Sequence, residues 1–336
     1  MEAERTLLCL RRMRWLLTAL LTGACVAQGF ELKRDSTGEP AAWKSPVHFI
    51  VDDHLAIRLK AEGAQDAVQT ALKTVGDAIP SLSLSATAGK TRGVGYDFDH
   101  PEESKSEVVA PEDWKWNVGA VATTVITLSR ATHQILEADI AFNVKHTGFA
   151  VVVPGQPTVN YDVQNAMTHE LGHALGLAHN ALRDTVMYPS STPGEISKRA
   201  LAADDLEGLR FLYGAPAVVA EEAVQGCSTA GSAPFALAAL MMGALLRRRA
   251  LVAVFAAVIF VAPLFASARA APLAWTVMSV TTFAPSAGPA VLESEVTFVR
   301  GGQLHSVRVP GGRWGDLEQV VEGVVVPLVG ETFLSP

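Results

Sequence analysis

Three histidines in this sequence stand at spacings that suit a single metal ion. In the run HELGHALGLAH, His169 and His173 are four residues apart, and His179 follows the second of them. Residues four apart on a helix leave the same face one turn apart, so both imidazoles can reach one ion. Imidazole nitrogens bind zinc at about 2.0–2.1 Å. Glu170, beside the first histidine, is then placed to hold a water on the metal as a general base.

Gly176 lies between the second and third histidines. Because glycine accepts a positive φ, the helix is predicted to end there and the chain to turn sharply. The turn brings His179 round as the third ligand and leaves a fourth position open, which is typical of a catalytic rather than a structural zinc site. The alternative is a buried amphipathic helix with incidental histidines. It is disfavoured because five fixed positions coincide in roughly one chain in 10⁵.

The whole pattern resembles the zinc-binding motif of the metzincin proteases. Downstream of His179, the segment Thr185–Pro189 (TVMYP) resembles the Met-turn of that clan, with Met187 as a soft apolar floor beneath the metal. The strings VMYP and DDLEGLRFLYG are most similar to the matrixin branch, over about residues 43–214. The resemblance implies an α+β, metzincin-like fold: a twisted mixed β-sheet, with a long active-site helix and a C-terminal helix flanking a zinc cleft.

The resemblance also implies residues that support the site and bind substrate. Either Asp204 or Asp205 would hydrogen-bond to the Met-turn backbone and brace it, and the sequence does not decide between them. The strand EADIAFN at 137–143 resembles the matrixin strand beside the cleft, an edge along which an extended substrate pairs. The loop SSTPGEISK would wall the pocket for the side chain after the scissile bond. The residues expected to contact substrate are Ala138, Ile140, Tyr188 and Pro189.

The elements that must position these residues follow from periodicity. The catalytic helix is predicted to begin at Asp162, a candidate N-cap, and to pack its apolar side on the sheet. Helical spacing runs over Leu55–Ile79 and stops at Pro80, and a C-terminal helix is predicted over Leu201–Gly214. Strands are predicted at Val47–Val51, from Leu82, at Ala120–Leu128, at Ile135–Asn143 and at Phe149–Val153.

Residues 97–113 are acidic and rich in turn formers. In matrixin-like loops such a stretch binds calcium, although an ordinary solvated loop is the favoured interpretation. Asp139 is expected to be structural rather than a ligand, because unpaired buried acids are rare. The remaining histidines fall in no run that matches a second zinc site, so one zinc ion is expected. No cysteine-bearing propeptide motif precedes the domain.

Net charge and cysteine content indicate which binding partners and which covalent cross-links to expect. The 336 residues carry a net charge of -7 and no basic stripe, which argues against nucleic acid. Of three cysteines, only Cys227 falls outside the N-terminal leader, so no intramolecular disulfide is expected in the mature chain. We expect a monomer that acts on peptides or proteins.

Residues 1–27 match a secretory signal. Arginines precede an apolar run over Trp15–Leu21, and small residues before and at Ala27 indicate cleavage after it. A lipid anchor on Cys25 is disfavoured, because Thr22 stands where an aliphatic residue is needed. The protein is therefore expected to be exported, either extracellular or attached to the surface of a bacterial envelope.

The matrixin resemblance ends at Gly214. In the segment 227–249, Cys227 is followed by an apolar run and three arginines. This segment resembles the Cys-containing sorting tail of myxobacterial surface proteins, which implies a sorting protease as a partner. The alternative is a plain transmembrane anchor. Both interpretations place the arginines in the cytoplasm and the domain outside.

Beyond the arginines, a second apolar run ends in an A-x-A pattern at Ala270 and resembles another signal peptide. Our hypothesis is that 250–336 is the start of a second exported protein, fused by a frameshift or a miscalled stop. A helical hairpin with a small extracytoplasmic tail is the alternative. The expected divisions are a signal at 1–27, a lead-in at 28–44, the catalytic domain at 45–214, a linker at 215–226, the sorting tail at 227–249, a signal-like segment at 250–270 and an uncharacterised tail at 271–336.

Three functions remain open at this point. The resemblance implies a zinc-dependent endopeptidase in which Glu170 acts as general base. The alternative is a catalytically silent surface or adhesion module that keeps the fold. Silent members usually lose the glutamate or a ligand, whereas this sequence keeps all four residues, so the enzyme is favoured over the module. Hydrolysis of a non-peptide bond is a third option, disfavoured by the Met-turn.

Overall fold

The computed structural model describes residues 29–214, 274–283, 288–300, 302–324, 326–329 and 331–333. The predicted signal, linker, sorting tail and second apolar segment lie outside these residues. In the part of the chain that the structure describes, no helix is long and apolar enough to cross a membrane.

The described elements are strands, four α-helices and two single-turn 3-10 helices, Pro101–Glu103 and Ser197–Arg199. The α-helices are α1 (Leu55–Leu59), α2 (Ala64–Ala78), α3 (Val163–Ala174) and α4 (Ala203–Tyr213). The strands of the N-terminal part are β1 (Glu31–Leu32), β2 (Val47–Asp52), β3 (Leu84–Gly89), β4 (Tyr96–Asp97), β5 (Ser106–Val109), β6 (Ala122–Ser129), β7 (Gln134–Phe142), β8 (Phe149–Ala150), β9 (Tyr161–Asp162) and β10 (Leu177–Ala178). Those of the C-terminal part are β11 (Trp275–Thr282), β12 (Pro289–Ala290), β13 (Glu293–Arg300), β14 (Gln303–Pro310), β15 (Gly312–Trp314), β16 (Leu317–Val321) and β17 (Thr332–Phe333).

A seven-stranded mixed sheet with the order β15-β16-β6-β7-β5-β2-β3 forms the centre of the fold. The pairs β2–β3, β2–β5 and β5–β7 are parallel, whereas β6 runs antiparallel to β7. Every residue of β6 is buried, as expected for a β-branched strand covered on both faces. Helices flanking this mixed sheet confirm the predicted α+β class.

Helix α3 is positioned by its cap and by an apolar stripe. The side chain of Asp162 accepts a hydrogen bond from the backbone N–H of Asn165 at 2.8 Å, which confirms the predicted N-cap. Val163, Met167 and Leu171, spaced four apart, are each 0% exposed. They hold the helix against the main core, so the side chains on its other face are presented from a fixed support.

Two predicted elements differ from the structure. The single helix predicted over Leu55–Ile79 is two helices, because Lys60 (φ 52°) and Gly63 (φ 78°) adopt left-handed conformations that interrupt the ladder. The predicted strand Phe149–Val153 is only two residues long, pairing with β9 before the chain enters a loop.

The C-terminal part of the chain does not stand apart from the central sheet. Strands β14, β13, β11 and β17 form their own four-stranded sheet. However, β16 pairs with β6, β15 pairs with β16, and β12 pairs with β4. Residues from the tail expected at 271–336 therefore share a sheet with those of the domain expected at 45–214.

Candidate active site

The three histidines converge on one point. Their Nε2 atoms lie 3.2 Å apart for His169 and His179, 3.2 Å for His169 and His173, and 3.1 Å for His173 and His179. Two nitrogens bound tetrahedrally to zinc at about 2.0–2.1 Å would be about 3.3–3.4 Å apart. Three imidazole nitrogens facing each other at this separation are the donor set and spacing that one zinc ion requires.

Oxygen atoms behind two of the rings fix their orientation. His169 Nδ1 donates to the carbonyl of Val186 at 2.6 Å, and His173 Nδ1 donates to that of Leu177 at 2.9 Å. A hydrogen on Nδ1 leaves the lone pair of Nε2 free for a metal. Burial lowers the pKa of all three histidines, which favours the neutral form that a ligand must have.

The sharp turn that returns His179 to the site depends on Gly176. Its φ is +96°, and a Cβ at this position would lie 2.4 Å from the carbonyl oxygen of Ala41. The turn is held by the start of the chain, because β10 pairs with β1 and the N–H of Lys33 donates to the Gly176 carbonyl at 2.8 Å. Part of the predicted lead-in is thus a support for the third histidine.

Met187 is 2% exposed and lies directly beneath the helix. A Cβ at Gly172 would come within 2.3 Å of its sulfur, so the glycine makes room for it. Asp205 accepts hydrogen bonds from the backbone N–H groups of Val186 (2.9 Å) and Met187 (3.2 Å). Asp204 instead accepts one from Asn180 Nδ2 at 2.8 Å. Of the two candidates, the one that contacts the Met-turn backbone is therefore Asp205.

Glu170 is buried beside the histidines. Thr124 Oγ1 on β6 donates to its Oε2 at 2.6 Å. Burial raises the pKa of Glu170 to about 8, against the lowering effect of the bond from Thr124. The site therefore holds a carboxyl group whose proton affinity suits proton transfer near neutral pH.

A cavity of about 320 Å³ opens next to this carboxyl group. Pro189 lines it, as expected, together with Lys198, whereas Tyr188 contributes a backbone carbonyl that accepts a hydrogen bond from Lys198 Nζ at 2.5 Å. Burial lowers the pKa of Lys198. The other lining residues are Asn117, Gly119, Ala120, Val121, Ala122, Tyr161, Asp162, Asn165, Ala166, His169, Glu170, His179, Ser190, Ser191, Glu322 and Gly323.

The expectation that the strand at 137–143 is the edge beside the cleft is wrong. Strand β7 lies inside the sheet, paired along its length with β6 on one side and, at Ile140 and Ala141, with β5 on the other. Ala138 and Ile140 are each 0% exposed and cannot touch a substrate. The strand next to the cavity is β6, because its first residue Ala122 lines the cavity and its Thr124 contacts Glu170.

Three residues of the site were missed by sequence reasoning. Lys198 is inside the loop expected to wall the pocket, but nothing in the sequence distinguished it as a cavity residue. Thr124 belongs to a β-branched strand that gave no functional signal. Glu322 lies in the tail that was expected to be separate, yet its Oε1 is 3.1 Å from His179 Nδ1.

The acidic segment forms its own network away from the histidines. Asp97 pairs with Arg92 and accepts the backbone N–H of His100 at 2.9 Å. Asp139 accepts hydrogen bonds from the backbone of Gly95 and Glu107, so it has the structural role expected of it. Calcium binding by this region stays a prediction.

In the described part of the chain, one other group of side chains is close enough to hold a cation. It consists of Asp52, Asp53 and His54. Its Asp52 is already paired with Arg58, and His54 is largely exposed.

The fold and this site define a metzincin-type catalytic domain. The family model described as matrixin, peptidase M10, matches residues 43–214, just over half of the chain. The chain therefore belongs to the matrixin family, which confirms the resemblance seen in the motifs. The similarity of residues 227–249 to a sorting tail stays a prediction.

Curated relatives share parts of the sequence. Metalloendoproteinase 2-MMP of Arabidopsis thaliana is 43% identical over 58 residues, covering 17% of this chain and 15% of the relative. Metalloendoproteinase 1 of Glycine max is 30% identical over 131 residues, covering 38% and 34%. Stromelysin-1 of Mus musculus is 49% identical, covering 37% and 31%. The chain thus spans at most about a third of the length of these relatives.

Proposed function

We propose that this protein is a zinc-dependent endopeptidase that hydrolyses peptide bonds. The observation that carries the proposal is the convergence of three Nε2 atoms at 3.1–3.2 Å beside the buried carboxyl group of Glu170. Membership of the matrixin family supports it, as does the word metalloendoproteinase in the names of several relatives. His169, His173 and His179 would hold the zinc ion.

The division of work between metal and protein follows from the donor set. When bound, zinc would polarise the scissile carbonyl and lower the pKa of a water molecule. Glu170 would take the proton of the attacking water and deliver it to the leaving amine nitrogen. The bond from Thr124 fixes one oxygen of the carboxyl group, which leaves the other for this transfer. Met187 and Asp205 would act by keeping the histidines in place.

The cavity beside Glu170 would take one substrate side chain. Its volume of about 320 Å³ is large enough for a sizeable residue, and Lys198 places a cation in its wall. The ammonium group would favour a side chain with an acidic or hydrogen-bond-accepting end. We propose that the backbone of an extended substrate runs along the segment 119–124, which leads from the cavity wall into β6.

Export and attachment are further proposals that rest on the sequence. The N-terminal signal would send the chain out of the cytoplasm, and the segment 227–249 would attach it to the cell surface, through a sorting protease or as a membrane anchor. We also propose that the protein is a monomer. The division of the chain into signal, catalytic domain, linker and sorting tail is part of the same proposal.

The test uses the full chain with casein and a quenched peptide library. Zinc content is measured first, with about one ion per chain expected. Chelation should abolish cleavage, and added zinc should restore it. A folded chain that binds zinc but cleaves nothing in the library would contradict the proposal and favour the silent surface module.

A further inference from the structure

The free edge of the cleft strand is occupied by the C-terminal part of the same chain. On one side β6 pairs with β7, and on its other side it pairs with β16. The register joins Leu317 to Ser129 and Val321 to Val125. Backbone bonds continue at both ends, from Arg130 N to Asp316 O at 2.8 Å and from Glu322 N to Thr124 O at 3.0 Å. No free edge of β6 remains along this register.

Side chains anchor this strand to β6 and its neighbours. Gln319 is 2% exposed, and its Nε2 donates to Thr127 Oγ1 at 3.0 Å. Its Oε1 accepts a hydrogen bond from the N–H of Leu292 at 2.6 Å, which ties β16 to the rest of the C-terminal part. Ser129 Oγ donates to the carboxylate of Asp316 at 2.5 Å. A buried and satisfied amide at the centre of the interface marks a specific contact.

The direction of β16 leads the chain to the metal site. From Leu317 the strand runs toward Thr124, the residue that contacts Glu170. The next two residues, Glu322 and Gly323, line the same cavity as Glu170 and the histidines. The carboxylate of Glu322 pairs with Lys33 and lies 3.1 Å from His179 Nδ1, with its side chain 12% exposed. The segment 317–323 therefore ends against the third histidine.

A peptide substrate that runs along 119–124 meets this segment at Thr124, whose carbonyl already accepts the N–H of Glu322, and in the cavity that Glu322 and Gly323 line. An extended peptide adds to a sheet through the unpaired N–H and C=O groups of an edge strand. Once these groups are paired with one strand, a second strand cannot pair with them. We propose that the edge of β6 is a strand-binding surface whose resident occupant is the segment 317–323, and that this segment competes with extended peptides for the cleft. This inference rests on the proposed function for the identity of the competing ligand. It gives the C-terminal part the role of an internal inhibitor.

The variant that tests the inference is Val320→Pro in the full chain. Bonded pairs alternate along an antiparallel ladder, so the bonds at Glu322 and Asp316 place the N–H of Val320 in the ladder with Ile126. Proline removes this N–H and breaks the pairing, whereas the matched control Val320→Thr keeps both the N–H and the β-branched shape. If the segment is docked for about nine-tenths of the time, its release lowers KM about tenfold with kcat unchanged.

A binding measurement makes the inference independent of turnover. A fluorescent peptide of sequence GRWGDLEQVVEG, residues 312–323, should bind Val320→Pro about tenfold more tightly than the wild type or Val320→Thr. A scrambled peptide should bind none of them. If no form of the chain cleaves any peptide, the proposed function fails, while this binding difference would still support the docking surface.

Two outcomes would overturn the inference. In one, amide exchange of Val125–Ser129 accelerates in Val320→Pro, but KM and peptide affinity match the wild type. In the other, Val320→Pro loses zinc while Val320→Thr keeps it, which would make the segment a support of the site. Should the proline variant fail to fold, Gln319→Ala removes only the side-chain anchor, and a smaller fall in KM in the same direction is expected.

Discussion

The two sides of the cleft are built from different parts of the chain. On the helix side, the contacts that orient two of the histidines and the Met-turn are local: His173 is oriented by Leu177, His169 by Val186, and the Met-turn by Asp205. On the strand side, β6 pairs with β16, almost two hundred residues later in the sequence. The chemistry of the site is therefore encoded in one short stretch, whereas access to it depends on contacts between distant segments.

The two sides also differ in how well their buried polar groups are paired. In the described residues, four buried side-chain polar atoms have no hydrogen-bond partner, and three of them belong to β6, β7 or their connection. These are Thr123 Oγ1, Arg130 Nε and Glu137 Oε2. The residues that orient His169, His173 and the Met-turn are all bonded. The helix side is therefore the better paired half of the site.

The largest effect on the helix side is expected from Gly176→Ala. Alanine would have to adopt a φ of +96°, and its Cβ would lie 2.4 Å from the carbonyl oxygen of Ala41. Strain and overpacking together should lower the free energy of unfolding by about 2–5 kcal/mol, measured by urea denaturation. The matched control is Gly155→Ala, which has φ +80° but open space around it and should cost about 1–2 kcal/mol. Equal losses would show that the close approach to Ala41 does not matter.

Asp205→Asn should have the next largest effect. The carboxylate accepts hydrogen bonds from Val186, Met187 and Ala202 while 1% exposed, and bonds to a buried charge are worth about 1.5–3 kcal/mol. We expect a loss of about 2–3 kcal/mol in unfolding free energy and weaker zinc retention against a competing chelator. Its neighbour variant Asp204→Asn should lose less than about 1 kcal/mol. A larger effect at Asp204 would contradict the assignment of the brace.

On the strand side, Glu137→Gln should change the pH dependence of stability. Burial raises the pKa of Glu137 from 4.5 to about 8. Between these values the folded state keeps a proton that the unfolded state has lost, so stability falls as pH rises, by up to about 1.4 kcal/mol per pH unit. The loss is complete above about pH 8 and absent below about pH 4.5.

Glutamine carries no such proton, so the variant should have a flatter stability profile and be more stable than the wild type at pH 8. Urea denaturation at pH 5 to 8, with chelator present so that no cation binds the carboxyl groups, measures both slopes. Parallel profiles would mean that Glu137 ionises normally and that the strand side is as well paired as the helix side.

The helix side could be predicted from the sequence because its information is local. The four-residue spacing of His169 and His173, the glycine before the turn and the N-cap at Asp162 each act within one or two turns of chain. The choice between Asp204 and Asp205 could not be made, because adjacent helix residues point about 100° apart and the rotation of α4 is set by its packing.

The strand side could not be predicted for a different reason. β-Branched residues predicted β6 and alternation predicted β7, but neither signal gives the order of strands in a sheet, and the resemblance placed the cleft edge on β7. Pairing of β16 with β6 depends on a contact between distant segments, and Glu322 had no motif to mark it.

The most direct test of the account is one variant, Glu170→Gln, in the full chain, with bound zinc and kcat/KM measured on the same preparation. In the proposed mechanism the three histidines bind the zinc ion, and Glu170 transfers the proton without binding the metal. We therefore predict about one zinc per chain, as in the wild type, together with a fall in kcat/KM of about 10²–10⁴-fold. Turnover within a few-fold of the wild type, with zinc retained, would contradict the assignment of Glu170 as general base.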